Sequence, residues 1–351
     1  MQWLLQNGGF MDSQVFILNE KRNVTLTAYL QDDSQEFWRA KKRPAVVIFP
    51  GGAYAYCSDR EADPVAQEYL RAGYHAFVLR YSVGWENAVW PNPLEDYDQA
   101  MELIAAHAKE WHLIPEKIAV IGFSAGGHLA ACAATMAKHR PAAAILAYPV
   151  ILEGLAAICA KGAPGADKAV DSQTCPCFIA ATGTDTTVSA MNSLRFVEAL
   201  YENGISAELH LYAFGPHGFS TARTSIADPA ELCSRTLHWV EDSISWLEDV
   251  FGAFTSGEMS SPRCPGRVRK DKDPYLSVDC LLATIAGNQI AVERLNQLIL
   301  VEETTQKWIA EQKENLLTSE MTLRSALQFL NVPGEVIRKA DEILSEIPNR
   351  K

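Results

Sequence analysis

"IAVIGFSAGGHLAACAA", residues 118–134, decides how the rest of the chain is read. Ile118, Val120 and Ile121 are β-formers, whereas Leu129 to Ala137 favour helix, so the spacing predicts a strand ending at Gly122 and a helix starting just after Ser124. Ser124 then sits on the corner between them. A turn that sharp holds its central residue in strained backbone geometry, which only small neighbours permit. The side chain is thereby presented at the C-terminal edge of a sheet. A Gly-x-Ser-x-Gly corner also suits an ordinary capped turn, so the surrounding chain has to separate the two readings.

The flanking sequence alternates strand and helix. VFILNEKRNVTLTAYL (15–30) reads as two strands around a turn at Asn19 to Asn23, and AVVIFPGG (45–52) as a buried strand ending in glycine. A helix is predicted from Asp63 to Arg71, a strand over 75–83, a helix from Pro93 to Trp111, and strands over 142–150 and 177–184. A helix over 192–204, a strand over 207–214 and an amphipathic stretch ending near Phe251 complete the unit. The pattern predicts an α/β fold, a mostly parallel sheet covered by helices.

Serine is a weak nucleophile at neutral pH, so a catalytic Ser124 requires a base, an acid to orient it and donors for an oxyanion. GPHGFS (215–220) places His217 in a glycine-flanked loop after the last strand. GTDTTVS (183–189) places Asp185 directly after the preceding strand, with Asp167 and Asp171 as nearby alternatives that precede it. The order Ser, Asp, His matches this motif's chain order. FPGGAYAY (49–56) supplies an early glycine loop, making Gly52 and Ala53, together with Ala125, the candidate oxyanion donors. Tyr54, Tyr56, Trp85 and Trp90 stand on loops expected to surround the site and are candidate substrate contacts.

With these elements in place, the chain resembles the α/β-hydrolase superfamily from about residue 12 to 251. PAVVIFPGGAYAYCSDREADPVAQEYLRAGYHAFVLRYSV, PNPLEDYDQAMELI, GFSAGGHLAA and GPHGFS are similar to its bacterial acetyl esterases and feruloyl-esterase-like carbohydrate esterases. The resemblance implies Ser124 as nucleophile, Asp185 as acid, His217 as base and the Gly52 region as oxyanion loop. It implies removal of acetyl groups from xylan-derived or other plant oligosaccharides, with no cofactor. Two departures stand out: the superfamily's His-Gly-Gly-Gly loop is Pro50-Gly51-Gly52-Ala53 here, and Leu152 to Pro176 is short and Ala/Gly-rich. A kynurenine-formamidase-like amidohydrolase and a non-catalytic ligand-binding homologue are the alternative readings.

Composition bounds the partners. With 351 residues, 48% of them hydrophobic, the chain has room for one large domain and an appendage. A net charge of −12 disfavours nucleic acid and anionic membrane as partners, leaving a small-molecule or oligosaccharide ester. The start MQWLLQNGGFMDSQ lacks a basic, apolar leader, so a cytoplasmic location is expected, with the eight cysteines reduced. Cys175-Pro-Cys177 is too closely spaced for a zinc knuckle, and no metal is expected. Residues 252–274, rich in Gly, Pro, Ser and charge, read as a linker between a catalytic domain (1–251) and a helical extension (275–351). Those helices are candidates for a homo-oligomer interface.

Overall fold

Among the described residues, eight strands form a single sheet, the central ones apolar and closed by glycine, proline or polar turns. They are β1 (Met11–Asn19), β2 (Val24–Gln31), β3 (Arg43–Phe49), β4 (His75–Arg80), β5 (Leu113–Phe123), β6 (Ala143–Ala147), β7 (Cys177–Thr182) and β8 (Ala207–Tyr212). In this computed structural model, which describes residues 11–33, 35–298 and 311–349, the strand order is β1-β2-β4-β3-β5-β6-β7-β8. β1 and β2 are antiparallel to each other and β2 to β4, while β3 to β8 run parallel. Every residue of β3 is buried, and after Arg43 its sequence is accordingly apolar throughout rather than alternating.

Six helices belong with the sheet in sequence: α1 (Asp63–Arg71), α2 (Asn92–His107), α3 (Ala125–Met136), α4 (Glu153–Cys159), α5 (Met191–Glu202) and α6 (Trp239–Phe251). Val46, Ile48, Ile121 and Phe178 share one core cluster with Tyr69 of α1 and Trp246 of α6. Strand residues of opposite parity meet α2 and α3: the Phe49 ring stands edge-on to Tyr97 at 5.5 Å, and Gly122 lies against Gly126 and Ala130. Each fully buried side chain of that size contributes about 2 kcal/mol. The loops at the C-terminal edge of the strands are therefore carried on a rigid floor.

Several boundaries differ from the sequence reading. β5 begins at Leu113 rather than Ile118, because Leu113 pairs with Arg43 ahead of a register shift. α2 ends at His107, since Ala108 to His112 turn back and His112 takes a positive φ of 50°. α4 lies within the Ala/Gly-rich stretch for which no element was predicted.

The chain divides into two compact units, residues up to Leu200 with Ser206–Gly266, and Tyr201–Ile205 with Arg267–Lys351. The stretch 252–274 is thus shared between them rather than standing apart. Cys264 N–H donates to Asp249 O at 2.9 Å and Ser206 N–H to Gly266 O at 3.2 Å, holding the first part against the sheet unit. The second unit contains α7 (Leu282–Ala286), α8 (Gln289–Leu298), α9 (Lys313–Thr318), α10 (Leu323–Phe329) and α11 (Gly334–Leu344). They enclose a core of their own, including Val278, Ile285, Leu327 and Leu344. Residues 299–310, 350 and 351 of the expected helical extension lie outside the described residues, as do residues 1–10 of the expected catalytic domain. No described helix is long and apolar enough to cross a membrane. All eight cysteines are free thiols.

Candidate active site

Ser124 occupies the junction of β5 and α3 with φ 52° and ψ −115°, a conformation that a non-glycine residue adopts only under constraint. The constraint is visible. Ser124 N–H donates to Ala147 O at 3.0 Å, and Ser124 O accepts from His128 N at 3.1 Å and Val150 N at 3.0 Å. The glycines on either side are required by contact: a Cβ on Gly122 or Gly126 would overlap backbone across the corner.

His217 Nε2 lies 2.9 Å from Ser124 Oγ, and His217 Nδ1 lies 2.6 Å from Asp185 Oδ2. Asp185 is ionised and can only accept, so Nδ1 carries the proton and Nε2 is left to accept from the serine hydroxyl. The second Asp185 oxygen accepts from Thr187 N at 2.8 Å and Val188 N at 2.9 Å. Burial pushes the Asp185 carboxyl up, but the hydrogen bonds from His217 and from the Val188 and Thr187 amides outweigh it and hold the group below the usual carboxylate range. The loops bearing Asp185 and His217 are tied together by Thr182 Oγ1 and Thr184 Oγ1, which donate to Gly215 O at 2.9 and 3.1 Å. Of the alternative acids, Asp171 is engaged elsewhere, accepting from Arg140 at 2.5 and 2.9 Å.

The loop after β3 packs directly on this corner, since a Cβ on Gly51 would stand 3.1 Å from Ser124 Cβ. Gly51 O accepts from Ser58 N at 2.9 Å, and Gly52 O accepts from Ala55 N at 2.8 Å. In a trans peptide the N–H points opposite to the C=O, so both carbonyls turned into the loop leave the Gly52 and Ala53 N–H groups turned out of it. Among the described residues, no hydrogen bond uses the N–H of Gly52, Ala53 or Ala125. Positive φ values at Gly52 (123°), Ala53 (53°) and Tyr54 (58°) produce that arrangement.

The four aromatic candidates separate. Tyr56 and Trp85 are exposed, by 61% and 82%, and the Tyr56 ring borders Gly52. Gly84 N–H donates to Tyr54 O at 2.8 Å, joining the Trp85 loop to the glycine loop. Tyr54, expected as a substrate contact, is instead buried, with its hydroxyl 2.9 Å from His128 Nδ1. A buried phenol needs a partner, and His128 supplies it. Trp90 is half-buried and stands edge-on to the same His128 ring at 5.5 Å.

Three buried polar residues behind the site were not singled out in the sequence: His128, Glu61 and Tyr148. His128 Nε2 donates to Pro164 O at 2.8 Å while Nδ1 accepts from Tyr54, and burial lowers its pKa to about 4. The available signal was a histidine one helical turn after Ser124 in an otherwise apolar helix. Among the described residues no cluster of His, Cys, Asp or Glu could hold a metal ion.

Known proteins similar to this chain point to a family. The BD-FAE family matches residues 36–150. An acetylxylan esterase of Xylanibacter ruminicola is 29% identical over 197 residues, half of this chain, and an endo-1,4-beta-xylanase B of Butyrivibrio fibrisolvens is 31% identical over 229 residues, 56% of it. The chain spans only 41% and 35% of the lengths of these two curated relatives. Among solved structures, an acetyl ester-xyloside bifunctional hydrolase from Caldicellulosiruptor lactoaceticus is 28% identical with a TM-score of 0.59, over 69% of this chain and 98% of that one. MGS-M1, an α/β-hydrolase enzyme from a Medee basin deep-sea metagenome library, is 41% identical with a TM-score of 0.63, over 68% of this chain and 98% of its own. Identity sustained at that level across nearly the whole of a solved member places this chain in the α/β-hydrolase family.

Proposed function

We propose that the chain is a serine carboxylic-ester hydrolase that removes acetyl groups from xylan-derived oligosaccharides. The observation that carries this reading is the unbroken path Asp185 Oδ2, His217 Nδ1, His217 Nε2, Ser124 Oγ, with separations of 2.6 and 2.9 Å and the serine held on a strained corner. His217 takes the Ser124 proton as Oγ attacks the ester carbonyl. Asp185 stabilises the imidazolium that results. The N–H groups of Gly52, Ala53 and Ala125 receive the developing oxyanion, and His217 then returns the proton to the departing sugar hydroxyl. Water, activated by the same histidine, releases acetate from the acyl-serine.

The acetyl and xylose specificity is supported by the chain's similarity to an acetylxylan esterase and to an acetyl ester-xyloside bifunctional hydrolase. It is supported also by the exposed Tyr56 ring bordering Gly52 and by the exposed Trp85 on the loop joined to the glycine loop, which suit stacking on a sugar face. The test is acetate release from acetylated xylo-oligosaccharides, followed by mass spectrometry of the products, with N-formylkynurenine and a feruloylated oligosaccharide as competitors. Loss of one 42-dalton acetyl increment at a time (about the mass of C2H2O) is expected, and Ser124→Ala is expected to stop it. Preferential turnover of the formamide would replace this reading with that of an amidohydrolase.

A further inference from the structure

Glu61 is a buried carboxylate, 2% exposed, in a place where nothing in the proposed chemistry requires a charge. Burying an ion is costly unless its oxygens are satisfied, and here each is used. Oε2 accepts from Gly51 N at 2.8 Å, at the root of the glycine loop, and Oε1 accepts from the Tyr148 hydroxyl at 2.7 Å. Arg60 Nε, on a half-exposed side chain, is 4.0 Å from Oε1 and offsets the charge. The Tyr148 hydroxyl in turn accepts from Ser220 N at 3.0 Å, in the loop that carries His217, and the Tyr148 ring stands edge-on to the His217 imidazole with centroids 4.9 Å apart. Burial, reinforced by the Glu61 charge, pushes the Tyr148 phenol well up, so it remains a donor to the carboxylate. Tyr148 itself is held at φ 38° with its N–H donating to Ala180 O at 2.6 Å, so the ring has little freedom to relax.

We propose that Glu61 is a positioning residue that sets the oxyanion loop and the His217 loop together, through Gly51 on one side and through Tyr148 on the other. Two groups that must act on the same tetrahedral intermediate are thereby referenced to a single carboxylate. The proposal rests on the serine-esterase reading above. In that reading, oxyanion donors help only if they are fixed at the position the charge will occupy, and a histidine base helps only if its ring is held in register with the serine. Replacing Glu61 by glutamine keeps the size but leaves one carbonyl oxygen for two donors, so either the Gly51 N–H or the Tyr148 hydroxyl loses its acceptor.

The test measures kcat and KM for 4-nitrophenyl acetate in Glu61→Gln, Tyr148→Phe and the double variant, per active serine counted by endpoint labelling with an organophosphate. The affinity of a trifluoromethyl ketone, which forms a tetrahedral adduct on the serine, is measured alongside. Counting active serines removes any contribution from misfolded molecules, and Tyr148→Phe keeps the buried ring. Glu61→Gln is expected to lower kcat about tenfold to a hundredfold with KM little changed, and to weaken the ketone by a similar factor. Tyr148→Phe is expected to cost less, and the double variant to cost little more than Glu61→Gln, because the two act through one link. A kcat within about twofold of wild type in Glu61→Gln, or a loss of kcat with ketone affinity intact, would overturn the proposal while leaving the esterase reading standing. A wild-type protein that hydrolyses no ester would instead remove the reading on which the proposal rests.

Discussion

Gly126, two residues after Ser124, lies so close to the backbone carbonyl of Phe49 that a Cβ on it would overlap that oxygen and stand 2.5 Å from the Pro50 carbonyl. The start of α3 and the end of β3 are in backbone contact, and this contact sets the distance between the serine and the glycine loop. Backbone atoms cannot swing aside as a flexible side chain can. Gly126→Ala is therefore expected to cost about 1–3 kcal/mol of stability or more, and to reduce ester turnover in the fraction that folds by displacing the loop from the serine. Urea unfolding with turnover per active serine measures both; a variant of normal stability and activity would mean the two segments are not so tightly fixed.

Removing the reacting groups is expected to act as a unit. Ser124→Ala and His217→Ala should each lose on the order of 10³-fold or more in kcat, and Asp185→Asn about 10²- to 10⁴-fold, while the combination Ser124→Ala with Asp185→Asn should lose little beyond Ser124→Ala. If Asp185→Asn were fully active while Asp171→Asn or Asp167→Asn were dead, the wrong carboxylate would have been assigned.

The exposed rings are expected to separate binding from chemistry. Trp85→Ala and Tyr56→Ala should raise KM for an acetylated oligosaccharide by about threefold to tenfold each, as for the loss of one aromatic contact, and leave 4-nitrophenyl acetate turnover nearly unchanged. Equal effects on both substrates would show that these residues shape the reacting centre rather than a sugar site.

Two buried histidines make stability depend on pH. His75 accepts from Gln31 N at 3.2 Å on Nδ1 and donates to Trp111 O at 2.8 Å on Nε2, so it has no room for a second proton, and His128, buried between the Tyr54 hydroxyl and Pro164 O, would carry one as a desolvated charge. Burial lowers each from 6.5 to about 4. The unfolded chain takes up these protons near pH 6.5 and the folded chain only near pH 4. The contribution is therefore complete above pH 6.5 and is lost as the pH falls toward 4. Between pH 7.5 and 5 each histidine should remove on the order of 2 kcal/mol, read by urea unfolding at both values. His128→Asn should shrink the difference by about half of the two-histidine share; an unchanged difference would show that His128 takes up its proton in the folded state.

Much of this architecture was legible because local and global signals coincide. The apolar runs from Ala45 to Phe49 and Ile118 to Phe123, each closed by a glycine corner, fix the central strands, and the polar loops at the C-terminal ends of the parallel strands carry Ser124, Asp185 and His217. What stayed hidden depends on partners distant in sequence. Glu61 is indistinguishable from its surface neighbours Asp59 and Arg60 until Tyr148, 87 positions later, is brought to it. Tyr54 reads as a loop aromatic until His128 takes its hydroxyl inside. The placing of β4 between β2 and β3 likewise follows from how the chain crosses over, which no single segment encodes.

The most direct measurement is covalent labelling of the nucleophile. The full chain is treated with diethyl 4-nitrophenyl phosphate, and its residual esterase activity is followed while the modified peptide is mapped by mass spectrometry. A single phosphoryl group on Ser124, appearing in proportion to the activity lost and absent in Ser124→Ala, is the outcome required of a serine held 2.9 Å from the His217 imidazole. Activity that persists in fully labelled protein, or inactivation that tracks a label on another residue, would contradict the assignment of Ser124 as the nucleophile.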